Sequence, residues 1–449
     1  MSDPPVSGTR RILAGPTRIS VFASAGVVVE TYDWLLFGLL TPIYKEVFFP
    51  AADQVVGFIY VWAIFAVGMF MRPVGAIFYG WYGTRHGRQK MLVMTTMLMT
   101  IPMLVTAFIP PYAMWGMWSA LIVLLMRMMQ GFCVGGEYSG TVVYLCETAP
   151  HNLRGMVSNT ANGASALGGV GANAILLILT ATLSQAQLES WGWRISYLVG
   201  ALVALVAQLM RRQLPETRAY EKQAARGEIP KRPLRSAVRV EWRAIIISML
   251  MVGYAQITFY FIMTYLPTLF KAVGNQSQAM ANLLTLILSL ALAVSSPFVG
   301  LLADRIGRRW TMAGSAIVIG VFAYPCFILL ESTNVAFVFI GAIVLMAGTT
   351  TYWGGFSPAV VEVFSPRHRV AATQIGYNVG TAIFGGTMGV IVTALVSDTG
   401  NAVGPAIYMG AASVVAVIVA LSIREQARVP IEEVVGMFAP DPAASSART

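Results

Sequence analysis

Charge is the scarcest feature of this chain. Of its 449 residues 30 are Lys or Arg and 20 are Asp or Glu, so 11% are charged, against roughly 25% in an ordinary soluble domain. Apolar side chains make up 57%, too many for so little polar surface to cover in a water-soluble globule. A soluble enzyme, a nucleic-acid binder and a disordered chain are set aside on these grounds. Histidine is nearly absent. His86, His151 and His368 all fall in loops between apolar runs, which argues against a histidine proton relay through a membrane. The three cysteines, Cys133, Cys146 and Cys326, each lie inside an apolar run and lack metal-ligand spacing. They read as small core hydrophobes with no disulfide framework. No phosphate loop, catalytic triad or metal cluster is evident, so neither a membrane enzyme nor an ATP-driven pump is expected, and no cofactor or metal.

What the chain does have is long apolar runs, with a mean hydropathy of +0.69. A transmembrane helix needs roughly 20 apolar residues, and twelve such stretches separate at charge and turn clusters. The first six are expected near 19–41, 56–80, 91–109, 116–145, 155–183 and 194–212. The second six are expected near 244–270, 278–302, 310–330, 335–361, 370–396 and 403–423. The expected fold is an all-α membrane protein of two pseudo-symmetric six-helix bundles, residues 19–212 and 244–423. Between them lies a basic linker, 213–243, and outside them an N-terminal tail, 1–18, and a C-terminal tail, 424–449. The first tail has basic residues but no cleavage-site pattern, so the first helix is expected to stay.

Basic residues set the orientation of a membrane protein. With the N-terminus cytoplasmic, 25 of the 30 Lys and Arg fall in cytoplasmic segments. Both termini are therefore expected in the cytoplasm, and the location is expected to be a plasma membrane of the bacterial inner-membrane kind.

The halves repeat one another. Gly80-Trp-Tyr-Gly-Thr84-Arg85-His-Gly87-Arg88 follows the second span, and Gly300-Leu-Leu-Ala-Asp304-Arg305-Ile-Gly307-Arg308 follows the eighth, 220 residues later. Glu147 with Arg154 after the fourth span matches Glu362 with Arg369 after the tenth, 215 residues later. Asn162 before Gly168-Gly169 matches Asn378 before Gly385-Gly386. Two parallel six-helix repeats point to a transporter with its substrate site between the halves.

The loops after spans 2 and 8 resemble the signature of the major facilitator superfamily. ETYDW (30–34), MRPVGA (71–76), RMMQGFCVGGEY (127–138), WGWR (191–194) and RRQLPET (211–217) resemble strings of its metabolite:H+ symporter family. The resemblance covers residues 19 to 423. It implies proton-coupled transport of dicarboxylates, oxo acids, aromatic acids, or proline and betaine. It also implies a cytoplasmic gate built from Gly80, Thr84, Arg85, Gly87, Arg88, Glu147 and Arg154 and their counterparts Gly300, Asp304, Arg305, Gly307, Arg308, Glu362 and Arg369. The sequence departs from the family at Thr84, where the loop motif has aspartate, and at Thr31 and Trp34. A threonine supplies no charge to a helix N-terminus, so unequal gates and an inward-facing bias are expected, unless Glu147 with Arg85 or Arg88 already holds the gate and leaves Thr84 neutral. No coiled-coil extension follows span 12, which weakens an osmosensing reading.

Charges inside a membrane cost roughly 2.5–3.5 kcal/mol each and are functional candidates by default. Five qualify: Glu30 and Asp33 on span 1, Arg72 on span 2, Arg127 and Glu137 on span 4. Counting residues from the helix ends puts Asp33 level with Arg127, and Arg72 level with Glu137, at about 1.5 Å per residue. These are the expected pairs, with Glu30 on the same face as Asp33. Asp33, Arg127 and Glu30 are the candidates for proton coupling; the resemblance extends to sugar porters, which use an aspartate and an arginine at such positions. Candidates for substrate contact are Arg72, Arg127, Glu137, Asn162, Tyr254, Gln256, Tyr352, Gln374, Tyr377 and Asn378. Each also fits a role as polar glue between helices. The expected activity is uptake of a small organic acid with H+ as coupling ion, by a chain acting as a monomer. The expected partners are a carboxylate substrate and the lipid bilayer, with no nucleic acid. A proline or betaine symporter, a proton-driven exporter and a transporter-like sensor are the alternatives.

Overall fold

A chain crossing lipid must satisfy every backbone N–H and C=O internally, and helices do this within one segment. The computed structural model describes residues 8–50, 54–266, 278–330, 332, 334–399 and 403–438; among them the regular elements are all helical. The first half holds α1 (Gly8–Leu39), α2 (Gln54–His86), α3 (Arg88–Phe108), α4 (Met117–Thr148), α5 (Arg154–Ser158 continued by Thr160–Thr182) and α6 (Trp193–Arg211). The second holds α7 (Pro233–Tyr260), α8 (Gln278–Ile306), α9 (Arg308–Leu330), α10 (Val335–Glu362), α11 (Arg369–Gly380, Thr381–Gly385 and Gly386–Thr399) and α12 (Val403–Ser422). Eleven of the described helices are long and apolar enough to cross a membrane. The twelfth place is taken by α11, whose three pieces run on without a break around a π-turn at Thr381–Gly385.

Two helix starts differ clearly from expectation. The first helix begins at Gly8 rather than near 19, inside the expected N-terminal tail. The seventh helix begins at Pro233 rather than near 244, because proline suits a first helical turn and the basic residues after it continue the helix as a polar start. The linker also contains a short helix, Arg218–Ala225, capped by the Thr217 hydroxyl. Residues 1–7, 267–277 and 439–449, parts of the expected tails and of the expected end of span 7, lie outside the described residues.

Packing repeats the two-fold pattern. In the first half α1 meets α5 and α6, α4 meets α2 and α3, and α3 meets α6; in the second, α7 meets α11 and α12, α10 meets α8 and α9, and α9 meets α12. Between halves the seams are α2 with α11 and α5 with α8. Bilayer helices gain little from burying apolar surface against one another, so close backbone approach matters. Glycine provides it where α2 crosses α4. A Cβ on Gly131 would lie 1.9 Å from the Gly68 carbonyl oxygen, and one on Gly75 would lie 1.9 Å from that of Phe132.

The turns after α2 and α8 are built alike. Gly87 (φ 104°) and Gly307 (φ 106°) take a backbone conformation that only glycine adopts freely. Each turn exposes the N-terminus of the next helix, whose free N–H groups attract a carboxylate. Glu216 accepts from the Arg88 N–H at 3.0 Å, and Glu425 from the Arg309 N–H at 3.0 Å. A carboxylate that follows each half's last helix therefore clamps that half's third. Outside, α12 turns Ile407, Val414 and Ile418 outward along one stripe, each more than 60% exposed, as a lipid-facing helix does.

Candidate functional site

The end of the bundle bearing the 213–232 connection, here the linker face, is closed by arginines exchanged between halves. Arg154 at the start of α5 pairs with Glu362 of α10 at 2.6 Å, and Arg369 of α11 pairs with Glu147 of α4 at 3.7 Å. Within each half Arg88 holds Glu147 at 3.1 Å, and Arg308 holds both Asp304 (2.7 Å) and Glu362 (3.3 Å). All seven side chains are buried. Asp304 accepts from the N–H groups of Gly155 and Met156 at 2.8 and 2.9 Å, capping α5 from the opposite half. Backbone meets backbone beside it: a Cβ on Gly300 would lie 2.2 Å from the Gly155 carbonyl oxygen. Cys146 of α4 is wholly buried among these charges.

The equivalent contact at Thr84 is missing. Its hydroxyl donates to the Gly80 carbonyl of its own helix at 2.7 Å and caps nothing across the seam. The contacts at Thr84 and Asp304 are thus unequal, and the linker face is closed in this conformer. Arg85 and Arg305 do not join the network. Their side chains are exposed, because they sit on the outer side of the turn.

A segment after α12 lies over this face. Arg154 donates to the Val429 carbonyl at 2.6 Å and Arg369 to that of Ile431 at 3.0 Å, while Lys222 of the linker helix pairs with Glu432. Thr217 donates to Glu147 at 2.7 Å and Tyr144 to the Pro215 carbonyl at 2.7 Å. The RRQLPET string thus fastens the linker to the gate.

Deeper in, polar side chains lace the halves together. Ser139 donates to Gln374 at 2.5 Å, Gln374 to the Gly136 carbonyl at 3.2 Å, and Asn378 to that of Gly135 at 2.8 Å. Asn162 donates to Ser357 at 2.9 Å and to Asn159 at 2.7 Å, and accepts from Tyr138. Above them Tyr138 of α4 stacks on Tyr377 of α11, ring centres 5.0 Å apart, with Trp353 edge-on at 6.0 Å. Gln256 donates to the Tyr377 hydroxyl at 3.2 Å and to Thr381 at 2.9 Å. Tyr254 and Tyr352 lie elsewhere. They pack on each other inside the second half, and Tyr254 bonds Ser413 of α12, so neither reaches the seam.

The membrane charges pair differently from expectation in one case. Asp33 and Arg127 do meet, at 3.4 Å, with Gln130 donating to Asp33 at 2.7 Å. The Arg127 guanidinium lies 4.1 Å from the Trp34 ring centre and 4.4 Å from that of Phe37, and its Nε and Nη2 have no hydrogen-bond partner. Arg72, however, pairs with Glu30, loosely at 3.7 Å. Glu30 Oε2 and Arg72 Nε are both unpartnered, and Tyr260 and Tyr377 of the second half lie beside the pair. Glu137 belongs to Arg211 at the end of α6, 2.5 Å away. Arg211 also donates to the Ala23 and Leu92 carbonyls, Thr96 and Thr141. Residue counting gives depth but not azimuth, and it places Arg211 at the membrane edge, whereas its long side chain folds back into the bundle. Gly26 makes the room, since a Cβ there would lie 2.4 Å from both partners.

With Arg211 facing both of its oxygens and the Thr95 hydroxyl on one of them, Glu137 is held inside its own half, which favours a structural role. Removing one partner of a buried pair costs about 3–5 kcal/mol, whereas replacing both with apolar groups is often neutral. Arg211→Ala is expected to lower thermal stability in detergent by an amount in that range, and Glu137→Leu/Arg211→Met to recover most of it with substrate binding intact. A double variant that is stable but no longer binds substrate would return Glu137 to the binding site.

The sequence reading also passed over Gln130, Tyr138, Ser139, Asn159, Glu216, Tyr260, Ser357 and Glu425. Glu216 and Glu425 were within reach: each follows the last helix of its half, but 209 residues apart, off the offset of the other repeats.

Comparison with known proteins agrees with this architecture. The family model for the Sugar (and other) transporter matches residues 19–232, and that for the Major Facilitator Superfamily matches 256–442. A citrate-proton symporter of Klebsiella pneumoniae is 31% identical over 404 residues, 89% of this chain and 90% of its own. A proline/betaine transporter of Salmonella typhimurium is 30% identical over 420 residues, 91% of this chain and 84% of its own. The solved structure of the proton:xylose symporter XylE bound to 6-bromo-6-deoxy-D-glucose superposes with a TM-score of 0.78 at 17% identity, covering 93% of this chain and 98% of that one. With two half-bundles, exchanged gate pairs and relatives along nearly its whole length, the chain belongs to the major facilitator superfamily of membrane transporters.

Proposed function

We propose that the protein imports a small organic acid together with a proton. It sits in the bacterial inner membrane as a monomer with the linker face and both termini in the cytoplasm, and needs no cofactor beyond the coupling ion. The observation behind this reading is the loose Glu30–Arg72 pair on the seam, each partner with an unsatisfied edge. Guanidinium binds a carboxylate through two parallel donors, so a substrate anion competes with Glu30 for Arg72.

Charge balance then supplies the coupling. Glu30, Asp33, Arg72 and Arg127 sum to zero. A bound monoanion leaves one uncompensated negative charge within the membrane, which is costly there, and one proton cancels it; a di- or tricarboxylate calls for one more proton for each further ionised carboxylate. Asp33 is the carrier: its carboxylate faces one guanidinium at 3.4 Å and one amide, so protonation releases Arg127 and loosens α1 from α4.

A second reading has its own support. Tyr138, Tyr260, Trp353 and Tyr377 surround the same place, and aromatic faces attract quaternary ammonium groups. A betaine, with a carboxylate for Arg72 and a cation for the rings, therefore also fits, and a proline/betaine transporter is among the relatives. Thermal stabilisation of the purified protein by citrate, smaller dicarboxylates, betaine, proline and sugars separates the two. Carboxylates are expected to stabilise it and Arg72→Lys to weaken them about tenfold, since lysine lacks the two-point fit. Stabilisation by betaine alone selects the second reading; stabilisation by sugars alone, unaffected in Arg72→Lys, contradicts both.

A further inference from the structure

At the start of α7 two arginines have no acidic partner. Arg235 and Arg239, one helical turn apart, are exposed and form no ion pair among the described residues. They edge a groove of about 600 Å³ whose floor is apolar: Ile77 of α2, Val238 of α7, and Ile375 and Val379 of α11. That volume is in the range of small-molecule sites, roughly 300–1,000 Å³. No acid lines it. The nearest acid along the helix, Glu241, is buried on the other side and accepts from Ser365.

The stripe that bears the arginines continues into the membrane as Val238, Trp242 and Ile246, all about half exposed. Arginine, then tryptophan, then aliphatic along one helix face is the order of a headgroup layer, an interface and an acyl layer. Basic pockets between transmembrane helices bind anionic headgroups.

We propose that this groove binds an anionic phospholipid, its phosphate between Arg235 and Arg239 and an acyl chain along the floor. The floor joins α2 of one half to α7 and α11 of the other, so an occupant bridges the α2–α11 seam and favours the closed linker face. A soluble phosphate has no use for the apolar floor or the Trp242 stripe, which is why a lipid is the occupant chosen.

Native mass spectrometry of the purified full chain, titrated with phosphatidylglycerol or phosphatidylcholine, tests this. Phosphatidylglycerol is expected to bind more tightly, and Arg235→Gln/Arg239→Gln to weaken it about 30-fold, the effect of two surface arginines. Arg218→Gln/Arg226→Gln, an equal charge change on the linker helix, is expected to leave it unchanged. Val379→Trp fills the floor with the charges intact and is expected to weaken it too. Equal binding by the arginine variant and the wild type, or an equal loss in the control, overturns the site. Competition by the chainless glycerophosphodiester headgroup as strong as by the lipid overturns the lipid reading in favour of a soluble anion. In vesicles, Cys146 is expected to react with maleimide more slowly in phosphatidylglycerol than in phosphatidylcholine, a difference lost in the arginine variant. Equal rates in the two lipids overturn the bridging role.

Discussion

Asp33→Asn is expected to abolish accumulation while leaving exchange. In vesicles one pH unit, acid outside, supports about tenfold accumulation of a solute that enters with one proton, and the variant is expected to bring substrate only to equal concentrations on both sides. The reason is geometric. The substituted amide keeps the shape that Gln130 and Arg127 contact but is permanently neutral, so Glu30, Arg72 and Arg127 cancel the charge of a bound anion with no proton taken up, and substrate movement is uncoupled from the gradient. Counterflow of labelled against unlabelled substrate needs no net proton movement and is expected to persist. Normal gradient-driven accumulation by this variant removes Asp33 as the carrier and leaves Glu30, one turn away and also half-satisfied.

Gly300→Val is expected to hold the linker face open. A Cβ at this position lies 2.2 Å from the Gly155 carbonyl oxygen and 2.6 Å from its carbon, far inside van der Waals contact, and backbone cannot move aside as a side chain can. The clash is between halves, so each half keeps its own packing and the protein is expected to fold. Cys146, wholly buried among Arg154, Arg308, Glu362 and Arg369, serves as the reporter once Cys133 and Cys326 are replaced by serine. Its maleimide reactivity is expected to rise at least tenfold in Gly300→Val, and transport to be lost because the opposite face no longer opens. Unchanged reactivity with a folded protein shows that the Gly155–Gly300 contact is not what closes this end.

Most of the fold was legible because its causes are written along the chain. Long apolar runs give the spans, and motifs repeated at nearly one offset give the two halves. The site was legible only in part. Asp33 and Arg127 were found because both are costly in lipid and lie at one depth. Arg72 was misassigned to Glu137, since depth does not say which way a side chain turns. Arg211 was missed because a residue at a helix end reads as solvated, yet its side chain reaches back to five acceptors besides Glu137. The exchanged pairs Arg154–Glu362 and Arg369–Glu147 illustrate a different limit. Identical motifs in both halves cannot show whether each acid binds its own arginine or its twin's, and only the closed seam decides it. Thr84 and Asp304 differ in their contacts because a hydroxyl can be satisfied by its own helix at Gly80 and a carboxylate such as Asp304 must look outward for donors.

In the proposed transport a carboxylate and a proton enter together. The most direct measurement is the internal pH of proteoliposomes loaded with a pH dye, followed as citrate or a smaller dicarboxylate is added outside without any imposed gradient. Internal acidification is expected to begin with the substrate, to follow its uptake in constant proportion and to be absent in Asp33→Asn. Substrate uptake with no change in internal pH, or acidification of the same size in Asp33→Asn, would contradict it.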